Sequence, residues 1–255
     1  MARIATALVL IPAVVWIVLL GPAWLLLAAA AFAGLRCYYE YSRLAARFGF
    51  GELGPLGYAG GLLLLTQWRE TLAVLVLVAL LALALSLRRP ELHHALPRAA
   101  LLLFGVVYVF GAWKAALALR ALDPHWLMLP LVLTWSGDVA AYYAGRRFGR
   151  RPLAAGISPA KTWEGAIASL AAAIVVAALY SSRFLPALFP LEAAALATAA
   201  NLAGQAGDLS ESAIKRGAGV KDSGGLLPGH GGLLDRVDST LFALPVVYLY
   251  TALRF

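Results

Sequence analysis

The sequence has 255 residues, of which 62% are hydrophobic and only 13% are charged, and its single cysteine, Cys37, excludes a disulfide framework or a multi-cysteine metal site. Soluble domains are nearer half apolar and a quarter charged, so this chain has too little polar surface to cover a water-exposed globule. The net charge of +8 predicts no nucleic-acid partner, because membrane proteins accumulate Lys and Arg in cytoplasmic loops.

The chain divides into stretches of about 20 mostly apolar residues, the length that a helix needs to cross a bilayer. We predict an all-α polytopic membrane protein with about nine transmembrane helices. The predicted spans are 4–20, 22–38, 53–67, 70–88, 98–118, 125–144, 162–181, 187–212 and 237–254. The third span is short and begins with a glycine-rich segment around Pro55, so a re-entrant or interfacial segment is the alternative there.

The basic residues test this count independently. With the N-terminus inside, 16 of the 21 Lys and Arg residues fall on the inside face, and only Arg69, Lys114, Arg120, Arg183 and Arg254 do not. This bias follows the positive-inside rule and predicts an inside N-terminus and an outside C-terminus. Arg36, Arg43 and Arg47 belong to the inside group and are assigned to the loop after the second span.

Acidic residues concentrate in the second half of the chain. Eight of the 13 lie between Asp138 and Asp238, and carboxylates near hydrocarbon are costly unless they are paired, hydrated or metal-bound. We therefore predict that residues 1–120 form an N-terminal region of about five spans and that residues 121–255 form the catalytic region with cytoplasmic loops.

The eighth span carries a polar stripe. Asn201, Gln205, Asp208, Ser212 and Lys215 follow one another at spacings of four, three, four and three residues, which keep side chains on one helical face. For Asn201 and Gln205 we favour hydrogen bonds between helices. For Asp208 we favour a bound cation or a basic partner.

The sixth span and the loop after it repeat this theme. Thr134, Asp138 and Tyr142 lie at four-residue spacing in the span. In the loop, Ser158 precedes a predicted helix start, and Lys161 lies where the next span enters the membrane. Asp138 is therefore a second candidate for an intramembrane site.

Residues 212–239 are the densest in functional groups, with four cations, three carboxylates, one histidine and seven glycines. Glycines let backbone amides approach an anion, Lys and Arg neutralise phosphate, and carboxylates hold a hard divalent cation. These residue types together indicate phosphoryl or nucleotidyl transfer. Their spacing excludes a P-loop, a Rossmann turn and a zincin motif.

This segment resembles a known family. The run Ser212-x-x-Lys215-Arg216-x4-Lys221-Asp222, followed by His230-Gly231-Gly232-x-x-Asp235-Arg236-x-Asp238, is similar to the C-terminal signature of the phosphatidate cytidylyltransferases. The upstream run Ser158-Pro-x-Lys161-Thr162-x-Glu164-Gly165 and residues 138–145 also resemble that family. The resemblance covers about residues 134–239.

The resemblance implies an enzyme that joins CTP to phosphatidate, releases pyrophosphate and leaves CDP-diacylglycerol for phospholipid synthesis. It implies a cation centre for Mg²⁺ and a second ion such as K⁺, with Asp208 and Asp235 as a pair and Asp222 and Asp138 as further ligands or orienting groups. It implies that phosphate is bound by Ser158, Lys161, Ser212, Lys215, Arg216 and Arg236, with Lys221 and His230 as catalytic groups.

Some of these roles have simpler alternatives. Asp235 and Asp238 lie where the last span begins, so either could cap that helix. His230 could donate a hydrogen bond or proton to the leaving pyrophosphate or could be a structural loop residue.

The charge bias places these loops on the inside face, which agrees with a site that faces the cytoplasm and takes up cytosolic CTP among membrane lipids. The richness in Ala, Leu and Arg favours a prokaryotic inner or plasma membrane. The small-residue stretches 28–33 and 168–173 could pack helices within one chain or in a homodimer. Two other functions use similar groups, a CTP-dependent polyprenol or lipid kinase and an ion-coupled secondary transporter. Transporters usually carry internal repeats, and the sequence shows none.

Overall fold

The structure is a computed structural model that describes residues 2–67, 69–87, 91–226 and 231–255, with side chains from residue 10 onward. These residues are mostly helical. The helices are α1 (Ala2–Leu19), α2 (Ala23–Ala45), α3 (Pro55–Thr66), α4 (Thr71–Ser86), α5 (Ala95–Gly105), α6 (Ala112–Leu122), α7 (Pro124–Phe148), α8 (Trp163–Phe184), α9 (Pro190–Gly217) and α10 (Leu234–Arg254). A π-helical segment, Val106–Gly111, joins α5 to α6 without a break.

Each predicted span coincides with a helix in the described residues, with α5 and α6 together forming one of them. By length and composition, two described helices could cross a membrane, Leu92–Leu122 and Trp163–Phe184. Shorter apolar helices are Leu10–Leu19, Pro55–Thr66 and Thr71–Ser86. The third span is α3, whose 12 residues rise roughly 18 Å, which is less than the thickness of a typical hydrocarbon core.

Two expectations are wrong in detail. Helix α2 does not end near residue 38 but continues to Ala45 and then through a π-helical turn, Ala46–Phe50. Arg36, Arg43 and Arg47 therefore lie on a helix and not in a loop. The helix ends where Gly49 and Gly51 adopt positive φ angles, of 89° and 69°, that other residues rarely adopt.

The chain is also not all-helical. Strands β1 (Pro152–Ala154) and β2 (Ser158–Thr162) form an antiparallel hairpin between α7 and α8. Ser158 begins strand β2, which leads directly into α8, so it precedes the helix as predicted but lies in a strand. The residue that caps α8 is Thr162, whose Oγ1 accepts a hydrogen bond from the Gly165 amide at 3.1 Å.

The chain packs as two compact units that interleave in sequence. The first unit contains Met1–Leu8, Pro22–Lys114 and Ile214–Arg236, and the second contains Val9–Gly21, Ala115–Ala213 and Val237–Phe255. Helices α1, α6, α9 and α10 each contribute to both. The predicted division at residue 120 concerns function, which this packing does not test.

The first unit is built on buried aromatic rings. Tyr38 of α2 and Phe110 of the π-helical segment are fully buried, with ring centroids 5.8 Å apart. Helix α3 approaches them through glycines, since a Cβ atom on Gly61 would lie 2.1 Å from the Phe110 ring. The glycines of the third span therefore serve close packing.

The second unit packs α7, α8 and α9 through small residues. A Cβ atom on Gly137 of α7 would lie 2.6 Å from the Ser169 hydroxyl of α8, and one on Gly165 would lie 2.9 Å from the Ala141 carbonyl. Such close approach lets polar groups on adjacent helices reach one another, as interhelical hydrogen bonds in apolar surroundings require.

We predict that Gly61→Ala lowers the stability of the first unit. The added methyl group collides with the buried Phe110 ring, and overpacking of this kind costs about 1–3 kcal/mol. Thermal unfolding of the purified protein in detergent would show a lower midpoint. Gly111→Ala is the matched control, because the nearest atom to its Cβ is 3.9 Å away. Equal midpoints for the two variants would contradict this packing.

Candidate active site

A cavity of about 410 Å³ in the second unit contains several of the predicted site residues. We call it the Asp208 cavity. It is lined from α7 by Thr134, Asp138, Ala141 and Tyr142, from the hairpin and α8 by Leu153, Ser158, Ala160, Lys161, Thr162, Gly165, Ala166 and Ser169, and from α9 and α10 by Asn201, Gly204, Gln205, Asp208 and Ser239.

Asp208 has the basic partner that its position predicted. Its Oδ2 atom forms an ion pair with Nζ of Lys161, which the hairpin strand β2 presents. Both side chains are about one-third exposed, at 33% for Asp208 and 28% for Lys161. The pair therefore places a cation and a carboxylate together in the cavity lining, in reach of a ligand.

The two amides of the stripe bind to the neighbouring helix. Asn201 Nδ2 donates to Ser169 Oγ at 2.9 Å, and Gln205 Nε2 donates to Asn201 Oδ1 at 2.7 Å and to the Ala166 carbonyl at 3.2 Å. The favoured interpretation for these residues, hydrogen bonding between helices, is confirmed. The network fixes α9 against α8 and so fixes the position of Asp208.

Asp138 and Ser158 line the same cavity from α7 and β2. The structure therefore brings together Asp138, Ser158, Lys161 and Asp208, which lie up to 70 residues apart in sequence. Sequence spacing alone relates only neighbours on one element, so this convergence depends on the packing of α7, α8 and α9.

The first unit contains a second group of site residues, organised by a buried carboxylate. Glu40 of α2 is 1% exposed and accepts hydrogen bonds from the backbone amides of Leu233 at 3.1 Å and Leu234 at 2.8 Å. It also accepts from Ser223 Oγ at 3.0 Å and from the Arg36 guanidinium at 3.1 Å. We call this group the Glu40 cluster.

Asp235 belongs to the same cluster. Its carboxylate accepts from Lys215 Nζ at 2.6 Å, from the Ser223 amide at 3.0 Å and from the Gly232 amide at 2.7 Å. The last contact reaches back three residues at the start of α10, as a capping carboxylate does. The capping interpretation is thus present in the structure, and the role of Asp235 in binding a cation stays a prediction.

Glu40 is the site residue that the sequence analysis missed. It lies outside the family-like motif, and its signal was only that a single carboxylate occurs within the apolar and aromatic sequence of α2. An isolated buried carboxylate requires partners. Apart from Arg36, one helical turn away, those partners are more than 180 residues away in sequence, so the sequence pattern could not predict which groups Glu40 binds.

The remaining predicted residues have different surroundings. Lys221, Asp222, Arg216 and Arg236 are exposed, and Ser212 is half-buried on α9. Asp238 is buried, and its Oδ1 accepts from the Ser239 amide at 2.7 Å. His230 lies outside the described residues, so its predicted role stays a prediction. Asp208 and Asp235 belong to different units, and their pairing as a cation centre also stays a prediction.

The chemistry of the Asp208 cavity suits a hard cation. Within the described ranges, no three His, Cys, Asp or Glu side chains converge as a complete metal site. Mg²⁺ commonly takes only one or two carboxylates and completes its shell with water and substrate phosphates. Asp208 and Asp138, with the hydroxyl and amide oxygens beside them, are a donor set of that kind.

Comparisons with known proteins agree with this chemistry. A model described as the cytidylyltransferase family matches residues 1–254. A phosphatidate cytidylyltransferase of Brucella suis is 36% identical over 98% of this chain and 93% of its own length. The enzyme of that name from Pseudomonas aeruginosa is 37% identical over 96% of this chain and 94% of its own. The one from Bacillus subtilis is 39% identical over 58% of this chain and 56% of its own.

We predict that Glu40→Ala releases residues 221–226 and 231–235 while leaving the second unit folded. The substitution leaves buried amide donors without an acceptor, and removing one partner from a buried charged network typically costs about 3–5 kcal/mol. Hydrogen exchange of these residues, followed by mass spectrometry, would be strongly accelerated.

Glu70→Gln is the matched control, because Glu70 is exposed and precedes α4 in the same unit. Its exchange should resemble that of the unmodified chain. Unchanged protection of residues 221–226 and 231–235 in Glu40→Ala would show that Glu40 does not hold them.

Proposed function

Since the chain belongs to the cytidylyltransferase family, we propose that it transfers the cytidylyl group of CTP to phosphatidate, forming CDP-diacylglycerol and pyrophosphate. The observation that supports this most is similarity to phosphatidate cytidylyltransferases over nearly the whole length of both chains. The carboxylate–lysine pairs at the motif positions supply a suitable chemistry.

The reaction needs no nucleophile from the protein. An oxygen of the lipid phosphate attacks the α-phosphorus of CTP, a new P–O–P linkage forms, and the bond from the α-phosphorus to the oxygen bridging to the β-phosphorus breaks. Pyrophosphate leaves with that bonding pair. The tasks of the enzyme are to bring two polyanions together, align them and neutralise the charge that develops on the leaving oxygens.

The described cations fit these tasks in two ways. Lys161 and Lys215 are each held by a carboxylate, which fixes their ammonium groups before substrate arrives. Lys221, Arg216 and Arg236 are exposed, in the segment that resembles the family motif, and are assigned to substrate phosphate. Cations that are already positioned stabilise developing negative charge without a free-energy cost for reorganising the solvent.

We assign Mg²⁺ to Asp208 and Asp235, with Asp222 and Asp138 as further ligands or orienting groups and a second cation such as K⁺ beside it. When bound, Mg²⁺ would neutralise phosphate charge and orient the triphosphate. The carboxylates of this chain would hold the ion, and the ion pair with Lys161 would keep the Asp208 carboxylate oriented before substrate binds.

We further propose that the chain is an integral protein of a bacterial inner membrane, with nine spans, an inside N-terminus and an outside C-terminus. Large apolar side chains face outward on the helices, including Leu72 and Leu80 of α4 and Leu179 of α8, which are 74%, 61% and 68% exposed. Side chains of this kind suit a lipid surface. A cytoplasmic site would give access to CTP, and a homodimer is compatible with the small-residue faces.

The activity is tested with purified protein in phosphatidate micelles containing Mg²⁺ and CTP labelled at the α-phosphate. We expect the label to enter the lipid phase. Asp208→Asn and Asp235→Asn should each reduce this transfer on the order of 100-fold or more, because a positioned charge acting on the transition state is lost.

Glu192→Gln is the matched control, since Glu192 is an acidic residue at the other end of α9, where it pairs with Arg254. It should retain activity. Entry of γ-label and not α-label into lipid would instead establish a lipid kinase. Full activity of Asp208→Asn would exclude Asp208 from the site.

The topology is tested with two single cysteines and a maleimide that does not cross membranes. Gly156→Cys, in the hairpin turn, should react only after cells are permeabilised, whereas Ala187→Cys, between α8 and α9, should react in intact cells. The native Cys37 is buried and should stay unlabelled. Labelling of both or neither in intact cells would contradict the proposed orientation.

A further inference from the structure

The first unit contains a cavity of about 470 Å³ whose arginine lining lies outside the C-terminal motif. Arg36, Arg43 and Arg47 line it from α2 and the turn that follows. The opposite wall is the loop segment from Val220 to Leu226. We call it the Arg43 cavity.

The arginines share one face of the helix. Arg36, Arg43 and Arg47 are separated by seven and four residues, which correspond to two turns and one turn. Tyr39 lies between the first two, with the Arg36 and Arg43 guanidinium carbons 5.0 Å and 5.8 Å from its ring centroid. These contacts orient the guanidinium groups along the cavity wall.

Only one arginine of the three is neutralised by the buried carboxylate. Glu40 pairs with Arg36, and its other contacts are loop donors. Within the part of the chain that the structure describes, Arg43 and Arg47 make no ion pair, and both are exposed. The cavity therefore presents two guanidinium groups whose charge no described side chain neutralises.

The loop wall complements these groups. Ser223 is fixed through Glu40 and Asp235, and the two glycines after it bring backbone close to the cavity. At Gly225, no atom of the described residues lies within 4 Å of the position that a Cβ would take. Asp222 is the other carboxylate in the lining, and together with Glu40 it leaves three arginines against two carboxylates.

We propose that the Arg43 cavity binds the phosphomonoester of the lipid substrate through Arg43 and Arg47. Guanidinium groups match phosphate oxygens with paired, charge-assisted hydrogen bonds, and a phosphomonoester carries up to two negative charges to satisfy them. This inference rests on the proposed function for the identity of the lipid. The chemistry of the site, a phosphate bound by two arginines, does not depend on it.

The position of the cavity favours a lipid over a nucleotide as the source of that phosphate. The arginines follow the second predicted span on its predicted inside end, which is where lipid phosphates lie. Exposed aromatic side chains lie next to these arginines in sequence, with Tyr39 37% and Phe48 45% exposed. Such residues are typical of a membrane interface. An exposed arginine pair at this depth reaches a lipid headgroup without removing the lipid from its leaflet.

The test compares Arg43→Gln, Arg47→Gln and the double variant with Arg147→Gln, which removes the same charge from the predicted inside end of α7. In mixed micelles we expect the double variant to raise KM for phosphatidate about tenfold or more, because charged hydrogen bonds are lost, and to leave KM for CTP within about twofold. Arg147→Gln should change neither value. Thermal unfolding checks that all variants are folded.

A rise in KM for CTP with no change for phosphatidate would overturn the lipid assignment and make the cavity a triphosphate site. No change in either KM would overturn the proposal altogether.

A binding measurement separates this inference from the proposed function. Isothermal titration of the detergent-solubilised protein with dioctanoyl phosphatidate should show binding that weakens about tenfold in the double variant, whereas dioctanoylglycerol, which lacks the phosphate, should bind all proteins equally. This result would stand even if no label moved from CTP into lipid. Equal phosphatidate binding by the unmodified and double-variant proteins would refute the site.

Discussion

One buried carboxylate organises the functional segment of the first unit. Glu40 lies 1% exposed in α2 and binds Ser223, Leu233 and Leu234, which are more than 180 residues further along the chain. Two glycines explain how the loop comes so close, since a Cβ atom on Gly224 or Gly232 would lie 2.9 Å or 2.4 Å from the Glu40 carboxylate oxygens. Larger residues there would separate the carboxylate from the amides that satisfy it. Gly224 and Gly232 thus allow the backbone to pack against Glu40, in addition to the role that the sequence predicted for such glycines, the approach of backbone amides to an anion.

In the second unit, polar side chains in apolar surroundings are satisfied by amide hydrogen bonds and an ion pair. Helix α9 is polar along one face, and an amide or carboxylate in apolar surroundings must find partners. Asn201 and Gln205 find theirs on α8, and Asp208 finds Lys161 on the hairpin. All three side chains line the Asp208 cavity. The two amide contacts fix the helix, and the Asp208 carboxylate, at 33% exposure, is a charged group that a ligand can reach.

The sequence was sufficient for the helices and for part of the site. Period and hydropathy located every described helix, and the four- and three-residue spacing of Asn201, Gln205 and Asp208 predicted their common face. The hairpin was not predicted because Pro152–Ala154 has only three residues and the five residues of Ser158–Thr162 do not alternate between apolar and polar side chains. The C-terminal extension of α2 was not predicted, because the arginines at its end resemble those of a basic loop in a membrane protein. The role of Glu40 was not predicted, because its contacts with Ser223, Leu233 and Leu234 depend on tertiary packing and cannot be read from a local sequence pattern.

The pairing of charges explains how a mostly apolar chain can hold a site for two polyanions. Lys161 with Asp208 and Lys215 with Asp235 are each neutral overall, so neither pair leaves an uncompensated charge in partly buried surroundings. Neutral pairs, however, supply little net attraction for a phosphate. That attraction must come from cations without a carboxylate partner, and these lie on exposed surfaces, where water reduces the cost of the isolated charge. Arg43 and Arg47 meet this condition, so the lipid phosphate is assigned to α2 in addition to the exposed motif cations assigned to substrate phosphate, and alignment is assigned to the lysines that carboxylates hold.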